Sequence, residues 1–225
     1  MNLKAVLVLA GMFAALWILK RIPTTLLMSR ATRQKLAEVG THVLSKLPEF
    51  VSLVRAEDPQ WSHEQLIRQQ AEPLIARGFQ DLGVYRVDKI PNVLIRVLCQ
   101  PQTSVAAHIH DHAQRGVWTE MVTRYNDGST HSISTLPPTG LNRPDWFRVM
   151  QASKGTPTNQ IYQRYLTERR QQGIKPVAPS DVVREFEEVF HRLAAWRKEA
   201  GISAQEVANV AEKRIYKSKG NTAGA

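Results

Sequence analysis

Two periodicities divide the chain. Between Gly78 and Leu136 apolar and polar residues alternate, or apolar residues run together in short β-branched stretches, each closed by turn residues. Outside that region apolar residues recur at three-to-four spacing, which sets them along one side of a helix. The opening follows neither rule: from Ala5 to Leu19 (AVLVLAGMFAALWIL) there is no charge.

The alternating region predicts strands over 84–88, 93–98, 104–110, 117–125 and 129–136. VLIRVL at 93–98 is almost wholly apolar, as a central strand covered on both faces is. Along 104–110, Val105, Ala107 and Ile109 fall on one face and Ala106, His108 and His110 on the other. Asn126–Asp127–Gly128 marks a tight hairpin turn, since positive φ is easily reached there. The connections are too short for helical crossovers, so the expected sheet is an antiparallel meander.

Pro23 to Leu47 reads as a basic amphipathic helix bearing Arg30, Arg33 and Lys35. Segment 49–58 reads as a loop or helical turn. Ser62 with Gln65 fits a capping box opening a second helix, with Pro73 as a kink and Gly78 as its stop. The stretch around Trp146 and Phe147 reads as irregular. Helices over 158–172 and 181–200 follow. The second carries a stripe from Val182 through Phe186, Val189, Phe190 and Leu193 to Trp196. Ser203 with Glu206 forms a further capping box.

The expected architecture is therefore α+β: an N-terminal transmembrane helix, then an antiparallel meander of about five strands flanked by helices. The domain reading is 1–22 anchor, 23–60 juxtamembrane helix and linker, 61–216 α+β domain and 217–225 disordered tail. An uncharged helix of about 15 residues rises roughly 22 Å, short of a bilayer core of about 30 Å. Snorkelling by Lys4 and Lys20 extends it, and Trp17 suits the headgroup boundary. A cleaved signal peptide and a buried core helix are the rival readings. No small-residue cleavage site is evident, and Lys20–Arg21 follows the apolar run directly. Basic residues crowd the C-terminal side of the run, so the body is expected on the cytoplasmic side of the membrane.

Charge widens the choice of partners without selecting one. The 225 residues carry a net charge of +10 and a pI of about 10.0, which favours anionic lipid, acidic proteins or nucleic acid alike. Aromatics make up 7%, and no aromatic register recurs along a strand as a base-stacking platform requires. Membrane lipid and protein partners are expected; nucleic acid is not. The single cysteine, Cys99, cannot form an internal disulfide and reads as a buried thiol.

The most suggestive chemistry is His108–Ile109–His110–Asp111–His112. Alternate strand residues share a face, so His108 and His110 can approach one zinc ion, with Asp111 or His112 as further ligands. The run resembles a shortened metallo-β-lactamase-type motif, His-x-His-x-Asp-His, lacking its middle spacer and its glycine-rich setting. The resemblance covers five residues and implies a metal-dependent hydrolase using His108, His110 and His112. The competing reading is a half-exposed polar strand face running into a loop. There is no phosphate-binding glycine loop, no Gly-x-Ser-x-Gly elbow and no Cys-x-x-Cys pair. No catalytic, cofactor or metal residue is therefore assigned. Trp118 and Glu120 share one strand face, and a sheet covered on one side leaves its second face for a small apolar ligand, a partner or a second copy. The leading functional expectation is a non-catalytic, single-pass accessory, assembly or scaffold subunit of a membrane complex. The alternative is a tethered module binding lipid or another small ligand.

Overall fold

The computed structural model describes residues 29–211. The described residues form two units, Leu47–Glu199 and a second comprising residues 29–46 with 200–211. The 1–22 anchor expected from the sequence lies outside the described residues. Among the described residues no helix is long and apolar enough to cross a membrane.

In the second unit, α1 (Arg30–Ser45) begins at Ser29, whose hydroxyl accepts from the Thr32 amide at 3.2 Å. The helix is mostly exposed, and its buried residue is Gly40. A Cβ at Gly40 would stand 2.6 Å from the Ile202 carbonyl oxygen, so the close approach of the two segments requires glycine. Ser203 and Glu206 form the expected box at the start of helix 204–211. The Ser203 amide donates to Glu206 Oε2 at 3.0 Å, and the Glu206 amide donates to Ser203 Oγ at 3.2 Å.

The Leu47–Glu199 unit is a mixed seven-stranded sheet with helices on both faces. Its elements in order are β1 (Leu53–Arg55), α2 (Glu64–Ile75), β2 (Gln80–Val87), β3 (Val93–Gln100), β4 (Val105–His112), β5 (Gly116–Arg124), β6 (Thr130–Ser134), β7 (Phe147–Gln151), α3 (Thr158–Glu168) and α4 (Val182–Ala200). Strand order in space follows order in the chain. All five expected strands form. The α+β class holds, but the five-stranded antiparallel meander is corrected on two counts. Leu53–Arg55 adds a short strand on β2, too brief to show a period. Phe147–Gln151 adds a strand parallel to β6, because residues 135–146 lead the chain back before it pairs. The Asp-Gly turn is a three-residue loop closed by Gly128 at φ 79, with Asp127 Oδ1 accepting from the Ser129 amide at 2.9 Å.

Strand alternation sorts the interior into two layers. Leu98, Ile109, Met121 and Ile133 face α2 and α3, where Ile67, Leu74, Ile161 and Tyr165 close the main core. Ile95, Val97, Cys99 and Ala106 face the opposite way, towards Val182 on α4. The start of α2 differs from expectation. Its N-cap is His63, with no side-chain cap from its own turn. Instead Asp111 reaches across from β4, accepting from the Ser62 amide at 2.6 Å, the His63 amide at 3.2 Å and His63 Nδ1 at 2.7 Å. A carboxylate at a helix N-terminus satisfies orphan N–H groups and complements the helix dipole.

Candidate ligand cavity

The face of β4 and β5 turned towards α4 is built by period-two alternation. His108 pairs with Glu120 and His110 with Trp118 across the β4–β5 ladder, and Ala106 with Val122. On the β3 side the same histidines oppose Val97 and Ile95. His108 and His110 are therefore flanked by apolar strand residues on one side and by the Trp118–Glu120–Val122 row on the other. Both are buried, at 4% and 6% exposure, which corrects the reading of this face as half-exposed. The His110 ring stacks flat on Trp118, centroids 4.6 Å apart and planes 7° apart. His108 meets the Phe186 ring edge-on at 5.0 Å.

Above this floor α4 does not seat fully. Its stripe is apolar, yet only Val182, Glu185 and Ala194 are buried. Phe186, Val189, Phe190 and Leu193 stay half-buried, as do Trp118, Leu136 and Phe147 below them. A cavity of about 270 Å³ lies between, with His108, His110, Glu120 and Arg124 supplying its polar lining. A cavity of that size falls just below the range for small-molecule sites, about 300–1,000 Å³.

The polar groups are of two kinds. Arg124 is already engaged. Its Nε lies 3.6 Å from Glu185 Oε2, its guanidinium also donates to the Glu185 carbonyl, and Lys175 Nζ meets Glu185 Oε1 at 2.9 Å. The imidazoles are not. His108 Nδ1 and Nε2 and His110 Nε2 find no hydrogen-bond partner among the described residues. Each such buried atom costs about 1–3 kcal/mol. Burial drops the His108 pKa to about 3, with the Arg124 charge adding to the effect. Burial likewise drops His110 to about 3, helped by His108. Both rings are neutral at pH 7, each offering one N–H and one lone pair. Burial raises the Glu120 carboxyl, opposed first by the neighbouring Ser132 hydroxyl and then by Arg143.

The five-residue histidine run does not converge. Asp111 faces the other layer as the cap of α2, and His112 Nδ1 accepts from the Gln114 amide at 3.0 Å. Among the described residues no group of three or more His, Cys, Asp or Glu could hold a metal ion. His131 lies beside Tyr125, ring centroids 4.6 Å apart, on the face away from the cavity. Cys99 is free and buried, and burial pushes its thiol up to about 11, far from a reactive thiolate. Sequence reasoning found the Trp118–Glu120 face but missed the part played by Phe147, whose strand carried no alternation to read. No family model matches the chain, and no curated protein and no solved structure resembles it.

Proposed function

We propose that the Leu47–Glu199 unit is a binding module that encloses a small, largely apolar ligand between β4, β5 and α4. The apolar run 5–19 would hold it at a membrane as a single-pass anchor, with the body on the cytoplasmic side. The observation that supports the reading is the half-filled seat of α4. Large apolar side chains line the cavity of about 270 Å³ together with His108 and His110, whose rings carry three partnerless nitrogens. A ligand there completes apolar burial and satisfies the nitrogens together, which water or an apolar molecule alone does only in part. Native mass spectrometry on full-length protein, gently extracted from membranes, tests it. A bound small molecule at one per chain is expected, and it should be lost in a His108→Leu/His110→Leu variant. An empty wild-type protein that also binds no added apolar alcohol overturns the reading. Sedimentation tests the anchor: the full chain should pellet with membranes, and a chain left soluble after a high-speed spin defeats tethering.

A second reading is the accessory or scaffold subunit of a membrane complex. Val39 and Val43 of α1, one helical turn apart, are 49% and 50% exposed, a small apolar patch suited to a partner helix. Protein partners that co-purify with wild type and are lost with Val39→Asp/Val43→Asp would favour it.

A further inference from the structure

A second cavity of about 270 Å³ borders α4, lined by Leu141, Pro144, Ala194 and Trp196 together with Arg143 and Arg197. Phe147, Phe190 and Leu193 wall both this groove and the inner cavity, and all three are half-buried. The two spaces therefore adjoin, and they differ in polarity. The inner end has hydrogen-bonding groups, the middle is hydrocarbon, and the outer end is an indole beside exposed charge.

We propose that the two spaces form one site for a single-chain amphiphile, with an uncharged hydroxyl or carbonyl head at His108 and His110 and a hydrocarbon tail running outward past Phe190 towards Trp196. This rests on the ligand-binding reading above and names the ligand class. The head belongs inside because His108 and His110, whose nitrogens lack partners, line that end. It is uncharged because the inner end offers no unpaired cation. Arg124 is held by Glu185, and Glu120 stands opposite His108 in the sheet. A carboxylate or phosphate carried there loses its hydration without an ion pair in return. A hydroxyl or carbonyl matches the single N–H and single lone pair of a neutral imidazole. The inner cavity alone is smaller than an ordinary ligand site, and the outer groove supplies the length for a tail.

The test uses the full chain in a sterol-based detergent, which presents no competing alkyl chain. Hexan-1-ol, octan-1-ol, decan-1-ol and decanoate are titrated by calorimetry at pH 7.5. Affinity should rise about fourfold per added methylene, the factor that corresponds to burying one CH₂. Decanoate should bind at least tenfold more weakly than decan-1-ol. Leu141→Trp, in the outer groove alone, should keep hexan-1-ol binding and lose the gain from longer chains. Because micelle partition is the same for both proteins, that comparison isolates the track. The His108→Leu/His110→Leu variant should weaken all the alcohols about tenfold. If hexan-1-ol binds but Leu141→Trp and wild type share one chain-length dependence, the extended track is wrong while the inner cavity stands. If decanoate binds tighter than decan-1-ol and Arg143→Gln abolishes it, the head lies outside and the proposal is overturned. If no alcohol binds to folded wild type, both this proposal and the cavity reading fall.

Discussion

Lowering pH should destabilise this protein through two particular side chains. An unfolded histidine takes a proton near its ordinary value of 6.5, whereas His108 and His110 in the fold resist until about 3. Between those values the unfolded chain binds more protons, so stability falls as pH drops below 6.5 and is fully present above it. At pH 5 each group has removed about 2 kcal/mol, taking 1.36 kcal/mol per pH unit over about 1.5 units. The pair removes at most about 4 kcal/mol, a large part of the 5–15 kcal/mol typical of a domain. The charged and titratable groups around the pair are Glu120 and Arg124 on β5 and Glu185 on α4. The measurement is therefore a difference. Urea unfolding, followed by near-ultraviolet circular dichroism, is run on wild type and His108→Leu/His110→Leu from pH 7.5 to 5.0. The stability gap between them should move by up to about 4 kcal/mol in favour of the variant as pH falls. Parallel pH profiles, or resonances assigned to His108 or His110 that titrate above pH 6 in folded protein, would show that the rings are not held neutral and would refute the argument.

Three further outcomes follow from single contacts. Glu185→Ala leaves Arg124 buried without its partner and should cost about 3–5 kcal/mol; Arg124→Met/Glu185→Leu should recover most of it, both read by denaturant midpoint. Asp111→Ala removes the cap of α2 and the partner of His63, and should lower stability by about 2 kcal/mol, with faster amide exchange at Ser62 and His63. Gly40→Ala, which in an open helix gains about 1 kcal/mol, should instead destabilise α1 through the Ile202 carbonyl; unchanged or slower hydrogen exchange across Arg30–Ser45 would contradict that contact.

Residues 84–136 and 181–200 were legible because their patterns are local. Period-two alternation needs only one buried face, and His108 and His110 could be placed on the Ala106 face by counting. The Ser203–Glu206 box was likewise readable, since both partners lie within one turn. Leu53–Arg55 and Phe147–Gln151 were not legible, because each becomes a strand only through the neighbour it meets.

Asp111 shows the same division most sharply. In the chain it sits among histidines and reads as a possible metal ligand, yet a one-residue change of parity points it to the other layer, where it caps a helix 48 residues earlier. The letters alone determined the α+β class, the strand faces and the helix stripes, because backbone periodicity and side-chain polarity act over a few residues. The tertiary structure decided the burial of the histidines, the parallel seventh strand and the gap under α4. Those depend on which distant surfaces meet and how closely they pack, and packing distance is not written in any local pattern.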